Sequence, residues 1–383
     1  MQRNSRFEPY NLFYELVRLS LCCKEKDNLG PVGLSSVPSK KDWQSLFTLA
    51  KKQALVGVCL IGVQRLYESS PEQTVNLPSD LCLQWVGLSL NINRRNELLN
   101  QRCLELQSDL AEAGFRTCIL KGQGNLQYYP EELRLCRQSG DIDVWLWCDG
   151  DLRQRRKRII DYARTFTPDA AAFYHHVDCG IFDDVPVELH YLPSWFNNPF
   201  VNRKFLRWCE ENGPKETKIG SERIVSPSIR FNLVYQLVHL YQHLFLEGIG
   251  LRQLMDYYML LNAVDWTDKQ QIEDVERTLK TLKLERFTSA VMWVLSEVFG
   301  LESEKMLFTP DKKEGVFLLC EIEQAGNFGH HDRRLSRKGK GLTDLFIMHT
   351  RRNLHFIAHY PGESLWSPLF KFWHWGWRSV CLH

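Results

Sequence analysis

The chain has 383 residues, of which 44% are hydrophobic and 25% charged, and its 48 basic and 46 acidic residues give a net charge of +2. This length is sufficient for two or three domains with cores of their own. The small net charge excludes a global electrostatic attraction to nucleic acid, so basic patches must be assessed one by one.

The sequence has no run of 18 apolar residues, and its first residues lack the apolar core of a signal peptide. The twelve cysteines are scattered without a Cys-x-x-Cys motif, and many lie in apolar segments. Such cysteines are typical of reduced, packed residues rather than of a disulfide framework. We therefore predict a cytoplasmic protein with no transmembrane segment.

Helical patterns dominate the chain up to residue 114, and residues 1–114 are predicted to be an N-terminal helical region. The apolar run Leu55–Leu66 and the long amphipathic stretch Asp80–Ala113 each fit an α-helix. The segment Lys24–Lys41, which combines glycine, proline, serine and charged residues, predicts a loop between the first helices.

Predicted strands and helices alternate over residues 115–225, which indicates an α/β core. Its first strand, Arg116–Lys121, runs into the turn Gly122-Gln-Gly124. Glycines at a strand-to-helix turn let backbone N–H groups approach a phosphate, and the following helix N-terminus favours negative charge. Lys121 is then either a compact cation for a phosphate or a solvated lysine at a strand end.

Two carboxylates, Asp141 and Asp143, lie on the next predicted strand in the segment Gly-Asp-Ile-Asp-Val-Trp. Successive strand residues point to opposite faces, so the two acids share one face and repel each other. A cation between them offsets this repulsion, and hard carboxylate oxygens suit Mg²⁺ or Mn²⁺. The alternative is a strand end whose acids are simply solvated.

A third acid, Glu188, lies in the alternating segment Val185–Tyr191, where it shares one face with His190. This segment and the residues before it are predicted to form a hairpin that turns at Asp183-Asp184 and sets the Glu188 strand beside another strand of the sheet. Three carboxylates on neighbouring strands can bind two metal ions.

Helical patterns return beyond residue 226 and predict a C-terminal helical domain over residues 226–383. Ser226-Pro227 is a typical helix start. The segment Phe231–Leu246 is apolar almost all round, so it is predicted to be a buried central helix.

Two polar pairs in this domain have helical spacing. His239 and His243, at i and i+4, have a spacing that can bind zinc, but no nearby Glu or Cys completes a ligand set, so packed histidines are the preferred interpretation. Arg252 and Asp256 are also one turn apart and are expected to be able to pair with each other.

Three further segments each have two interpretations. The basic run Arg153–Arg158 is more typical of a solvated helix face than of a nucleic-acid contact. The basic, glycine-containing segment His330–Lys340 is a candidate lid over an anionic substrate. The tryptophan-rich segment Trp366–Trp377 predicts a helix packed on the helical domain, with contact to a membrane surface as the alternative.

The order of these motifs resembles the nucleotidyltransferase superfamily that includes DNA polymerase beta. The shared features are a small-residue turn that opens a helix, Gly-Asp-x-Asp on the next strand and an acid on a later strand. Within the superfamily, residues 101–192 are similar to a family of bacterial nucleotidyltransferase-like proteins in the segments Leu120-Lys-Gly122, Leu133-Arg134, Gly140-Asp-Ile-Asp143 and Val187-Glu-Leu-His190. Two downstream segments, Gly250–Asp256 and Gly326–Gly329, also resemble family segments.

The resemblance implies an α+β fold, in which a nucleotidyltransferase-like mixed β-sheet core is flanked by N-terminal and C-terminal helical regions. It also implies metal-dependent transfer of an NMP group from an NTP, with the catalytic carboxylates binding Mg²⁺ or Mn²⁺: Asp141, Asp143 and Glu188. The implied nucleotide contacts are made by Lys121, Gly122, Gln123 and Arg252. The acceptor (a small molecule, a protein or RNA) and the oligomeric state are not revealed by the sequence.

The turn departs from the superfamily pattern in two ways. The usual Gly-Ser at the helix start is Gly122-Gln123 here, so the serine that contacts phosphate is missing, and the interval from Gly122 to Asp141 is longer than usual. The missing serine favours a second hypothesis, a nucleotide-binding or interaction module without turnover on the same fold. A third hypothesis, a toxin-like or regulatory enzyme that modifies a protein or tRNA, is based only on the two basic segments.

Overall fold

The computed structural model of the protein describes residues 8–21, 33–213, 223–331, 334 and 341–381. Within these ranges, helices surround one four-stranded mixed sheet. The predicted α+β class, with a mixed sheet flanked by helical regions, is therefore confirmed. All four strands lie between residues 116 and 190, and the domain boundaries near residues 114 and 225 remain predictions.

Four helices precede the sheet: α1 (Glu8–Leu21), α2 (Lys40–Lys52), α3 (Val56–Ser69) and α4 (Ser79–Glu112). The longest, α4, has a buried stripe of residues at three- and four-residue intervals: Leu99, Cys103, Leu106 and Leu110. This stripe packs on the apolar face of the sheet. Residues 33–39 precede α2 without helical structure, as predicted for this loop, and its earlier part lies outside the described residues.

The sheet contains β1 (Arg116–Leu120), β2 (Ile142–Trp147), β3 (His176–Cys179) and β4 (Val187–His190), in the spatial order β1-β2-β4-β3. The pairs β1–β2 and β3–β4 are antiparallel, and β2–β4 is parallel. The predicted hairpin that carries Glu188 is thus confirmed. Two one-turn helices follow β1, α5 (Gly122–Asn125) and α6 (Glu131–Arg134), while two longer ones flank the β3–β4 hairpin, α7 (Leu152–Phe166) and α8 (Pro199–Asn212).

The basic run on α7 is only partly a solvated face. Arg153 and Lys157 are exposed as predicted. Arg155, however, is 5% exposed, forms an ion pair with Glu210 and lies with its guanidinium 4.1 Å from the ring centre of Trp147. A buried arginine of this kind stacks its planar group on an aromatic ring while its charge meets a carboxylate, so the prediction was wrong for this residue.

Within the described residues, seven more helices follow α8: α9 (Ile229–Leu246), α10 (Leu251–Asn262), α11 (Lys269–Thr281), α12 (Glu285–Phe299), α13 (Lys312–Ala325), α14 (Leu342–Phe356) and α15 (Pro361–Cys381). The central helix α9 is buried almost all round, as predicted. Its cap is Ser228, whose side chain accepts from Phe231 N, and not the predicted Ser226. Among the described residues, no helix is long and apolar enough to cross a membrane.

The tryptophan-rich segment lies in α15. Phe370 stacks on Trp195 at 6.4 Å, and the Trp373 ring lies 5.9 Å from that of Tyr174, so the helix packs on the loops beside β3 and β4. Its Glu363 also contacts α9 through Gln242. The side chains of Trp375 and Trp377 lie outside the described residues.

Candidate functional site

Asp143 lies opposite Glu188 at the beginning of the two central strands, because β2 and β4 run parallel and in register. Asp141 precedes the first residue of β2 and is exposed, whereas Asp143 is buried. All three line a cavity of about 820 Å³ that is also lined by residues of α9 and α10. The structure therefore brings together the carboxylates that the sequence singled out.

The turn after β1 carries Lys121 into the same cavity. Lys121 has a φ of +50° and Gly122 one of +38°, in the left-handed region that glycine tolerates best. Gly124 packs against the preceding strand, where a Cβ atom would lie 2.3 Å from Ile119 O. Within this turn, Lys121 Nζ lies 3.0 Å from Asp143 Oδ1.

His190, two residues after Glu188 on β4, is the second basic partner of Asp143. Its Nε2 lies 2.9 Å from Asp143 Oδ1 and 3.2 Å from Glu188 Oε2. Burial acts to lower the pKa of His190, but the hydrogen bonds to the two carboxylates outweigh burial and raise the pKa to about 9. Asp143 is therefore held between an ammonium and an imidazolium group.

Asp141 and Asp143 have opposite electrostatic environments. Burial acts to raise the pKa of Asp143, but Lys121 and His190 together hold it below its ordinary value. The pKa of Asp141 is raised, first by the Asp143 carboxylate and then by partial desolvation of the group inside the cavity. The Asp141 side chain has no hydrogen bond or ion pair with any residue that the structure describes, so it is available to a ligand.

This donor set fits a divalent cation. Asp143, Glu188 and His190 each offer one ligand atom within 4.8 Å of the other two, among the residues described. Asp141 faces the same cavity, and a cation beside it relieves its repulsion with Asp143. Carboxylate oxygens suit Mg²⁺ or Mn²⁺, and the imidazole nitrogen adds affinity for transition metals.

Gln123 does not face the cavity. Its side-chain Nε2 donates to Asn100 Oδ1 on α4 at 2.7 Å, and the residue is buried. Its neighbours Lys121 and Gly122 do line the cavity. Any contact of Gln123 with a nucleotide is therefore limited to its backbone.

Arg252 lines the cavity from α10, but it does not pair with Asp256 as expected. Asp256 instead accepts from Arg137, whose Nε lies 2.7 Å from Oδ1 and whose Nη2 lies 2.6 Å from Oδ2. The planar guanidinium of Arg137 matches both carboxylate oxygens, a geometry that outcompetes a pair within one helix. Sequence reasoning missed Arg137, whose only signal is its position three residues before Gly140.

The Arg252 guanidinium retains unused donor capacity. Its Nη1 donates to Gln138 O at 2.6 Å, and its Nε has no hydrogen-bond partner. The group lies 5.0 Å from the ring centre of Phe328, which follows α13. Burial and the nearby Arg137 lower the pKa of Arg252 to about 10, so the group stays charged at neutral pH.

Histidines line much of the remaining wall. The predicted pair His239 and His243 lies on α9 with ring centres 4.2 Å apart, and no metal-ligating group within the described residues includes them, consistent with packed residues. Sequence reasoning missed His175 and His176, which meet His190 at the start of β3. Burial lowers the pKa of His175 and His239 well below the ordinary histidine value, so both are neutral.

Of the predicted lid, the structure describes its first two residues and Arg334, which forms an ion pair with Glu321 at 2.9 Å. His330 and His331 line the cavity, and residues 332–333 and 335–340 lie outside the described residues. Phe328 just before them has a φ of +51°, an uncommon conformation for a residue with a side chain. The aromatic ring and the two histidines form one end of the cavity.

Comparison with protein families matches residues 39–300 to the family described as uncharacterised nucleotidyltransferase. The matched residues include the turn after β1, the carboxylates on β2 and β4, and helices α9 and α10. Searches of curated proteins and of solved structures give no match. Because the family match covers more than half of the 383 residues, the chain belongs to this nucleotidyltransferase family.

Proposed function

We propose that the protein is a metal-dependent nucleotidyltransferase that moves an NMP group from an NTP to an acceptor. The observation that supports this most directly is the in-register pair of Asp143 and Glu188, with Asp141 and Lys121 beside it in one cavity. Family membership supports nucleotidyl transfer in general. The metal, the NTP and the catalytic residues are part of the proposal.

Asp141, Asp143 and Glu188 would hold Mg²⁺ or Mn²⁺. When bound, the metal supplies charge neutralisation to the triphosphate and to the entering and leaving oxygens. Glu188, which is half-buried and reaches the cavity, accepts the proton of the acceptor hydroxyl. Positioning of the two substrates then accounts for most of the rate.

The nucleotide contacts come from the turn and from α10. Lys121, 3.0 Å from Asp143, binds a phosphate oxygen as a compact cation, and the Gly122 backbone lies beside it without a side chain. Arg252 offers its unpaired Nε–H to the triphosphate. Gln123 contributes through its backbone alone, since its side chain is bonded to Asn100.

Incubation of the purified protein with each labelled NTP and Mg²⁺ or Mn²⁺, alone and with cell extract, tests this proposal. Label transferred to a small molecule, a protein or RNA identifies the acceptor class. Glu188→Gln is expected to leave NTP affinity within a few-fold and to reduce turnover by about 10²-fold or more. Asp149→Asn, at the far end of β2, is the matched control and should have no effect. Equal losses of binding and turnover in Glu188→Gln would contradict the proposed role of Glu188.

One observation favours a second candidate, a nucleotide-binding module without turnover. Asp143 already has two cationic partners, Lys121 at 3.0 Å and His190 at 2.9 Å, so its charge is balanced without a metal. NTP binding without label transfer to any component of the extract would support this candidate. Transfer of label to a defined acceptor would exclude it.

A further inference from the structure

Three histidines meet at the side of the cavity where β3 joins β4. His190 lies on β4, His176 is its register partner on β3, and His175 precedes β3. Successive strand residues normally point to opposite faces. Here the chain bends at residues 174–175, and the rings of His175 and His176 lie with their centres only 4.2 Å apart.

The nitrogens of these rings are close enough to share one ion. One ring nitrogen from each of the three histidines lies within 4.8 Å of the other two. His175 Nε2 and His176 Nδ1 share a hydrogen bond of 2.9 Å, which an ion between the two nitrogens would replace. Two nitrogens bound to one tetrahedral zinc ion at about 2.05 Å lie about 3.3 Å apart, so only small ring movements are needed to place an ion between them.

His190 has the hydrogen-bond pattern of a metal ligand. Histidines that bind metals usually use one nitrogen for the ion and donate the other N–H to a carboxylate or carbonyl. His190 Nε2 faces the carboxylates of Asp143 and Glu188, while its buried Nδ1 has no hydrogen-bond partner.

Neighbouring groups fix the other two rings. Trp195 packs against His175 with ring centres 4.2 Å apart, and Phe173 packs against His176 at 4.7 Å. Asp178 Oδ1 lies 3.6 Å from His176 Nε2, the position of an outer carboxylate that orients a ligating imidazole. The three rings are therefore held in place before any ion binds.

We propose that His175, His176 and His190 form a binding site for a divalent transition-metal ion such as Zn²⁺, which shares His190 with the Asp143–Glu188 group but takes no ligand from Asp141 or Asp143. Imidazole nitrogen suits Zn²⁺ and related ions, whereas Mg²⁺ prefers oxygen. Three protein ligands leave a fourth position of a tetrahedral ion open toward the cavity. The ion joins β3 to β4 beside Glu188.

Zinc binding to the full chain, without nucleotide and with excess Mg²⁺ to saturate oxygen sites, tests this site. We expect one equivalent of Zn²⁺ to bind in competition with a chromophoric zinc indicator. The double variant His175→Ala/His176→Ala should lose at least about 100-fold in affinity, since two of three ligands are absent. His239→Ala/His243→Ala is the matched control, because these two rings are also 4.2 Å apart and line the same cavity, and it should stay within about threefold of the parent protein.

Absence of Zn²⁺ binding to the parent protein would overturn the proposal, as would equal losses in the two double variants. Circular dichroism shows whether the variants fold. If His175→Ala/His176→Ala does not fold, the absorption spectrum of Co²⁺ bound to the parent protein decides, because a nitrogen-rich tetrahedral site gives intense visible bands and a six-oxygen site does not. NTP binding is measured separately with Mg²⁺, so the zinc site and the proposed transferase activity can fail independently.

Discussion

The cavity has a sheet wall, formed by β2 and β4, and a helical wall, formed by α9 and α10. Buried carboxyl groups near the two walls have pKa values that are shifted in opposite directions. On the sheet, Asp143 lies between Lys121 and His190, and these partners hold its pKa below the ordinary value. Behind the helical wall, Glu363 of α15 accepts only uncharged donors, Gln242 Nε2 at 3.0 Å and Asn197 N at 2.5 Å. Burial raises the pKa of Glu363 to about 7, and the hydrogen bonds offset this only in part.

This difference shows that burial alone does not determine whether an acid is charged. Both carboxyl groups are at most 5% exposed, but only Asp143 is kept charged by cations that also face the cavity. Because Lys121 and His190 balance the charge of Asp143 within the cavity, we expect this carboxylate to remain charged for a metal ion. Glu363 has no cationic partner among the residues that the structure describes, and it joins α15 to α9 as a largely protonated acid at mildly acidic pH.

The largest effect is expected at the sheet wall. Asp141→Asn together with Asp143→Asn removes the charge that we propose binds the metal, so Mg²⁺-dependent NTP turnover should fall by about 10³-fold or more. Calorimetry with Mg²⁺ should show no NTP binding. Asp149→Asn, also an acid next to β2 but 98% exposed, should retain both activities. Unchanged nucleotide affinity in the double variant would show that the charged acids of the sheet wall do not take part in nucleotide binding.

Removal of one partner of the buried ion pair Arg137–Asp256 should cost more stability than removal of one partner of an exposed pair. Arg137→Met leaves the Asp256 carboxylate buried without its cation, which should reduce the free energy of unfolding by about 3–5 kcal/mol. Lys157→Met removes an exposed pair with Asp161 and should cost less than about 1 kcal/mol. Urea unfolding of the two variants measures both values. Similar losses in the free energy of unfolding for Arg137→Met and Lys157→Met would show that a buried ion pair is no more important for stability here than an exposed one.

The raised pKa of Glu363 predicts that stability falls as pH rises, whereas the lowered pKa of Asp143 does not. The folded-state pKa of Glu363, about 7, exceeds its ordinary value of 4.5, so the folded protein binds an extra proton between these values. The free energy of unfolding should therefore fall as pH rises from 4.5 to 7, by at most about 1.4 kcal/mol per pH unit from this group. Glu363→Gln keeps the hydrogen-bond acceptor and should flatten this part of the profile. An unchanged slope in the variant would show that Glu363 is ionised in the fold.

The smallest effect is expected at Lys121. Lys121→Ala removes a charge-assisted phosphate contact, so the Kd for NTP should rise by about ten- to a hundredfold. The Kd for the nucleoside without phosphates should change much less, and this ratio is the control. Equal weakening of nucleoside and NTP would show that Lys121 balances Asp143 and does not bind phosphate.

The alternation of apolar and polar residues along the sequence correctly predicted the polar face of β2 and β4. Ile142 and Val144 alternate with acids, and Leu189 alternates with Glu188 and His190, so the strands and their polar face follow from the two-residue period of a strand. The apolar residues of β2 and β4 must lie on the face of the sheet that packs on α4. The acids therefore lie on the opposite face. The carboxylate cluster could therefore be predicted from local patterns.

The remaining features depend on contacts between distant segments. Gln123 turns to Asn100 on α4, and Arg137 takes the Asp256 carboxylate that helical spacing assigned to Arg252. His175 meets His176 only because the chain bends ahead of β3. These pairings cannot be predicted from the periodicity of the sequence, because each depends on which groups lie nearest to one another in the folded chain.

The parallel pairing of β2 with β4 has a consequence for synthesis of the chain. About 40 residues separate the two strands, as a crossover between parallel strands requires. A nascent chain that has emerged only to residue 180 already contains Lys121, Asp141 and Asp143, but one edge of β2 has no hydrogen-bonded neighbour. The ribosome must release β4 before that edge closes, so the N-terminal half of the protein is exposed to unwanted strand pairing until residue 190 is free.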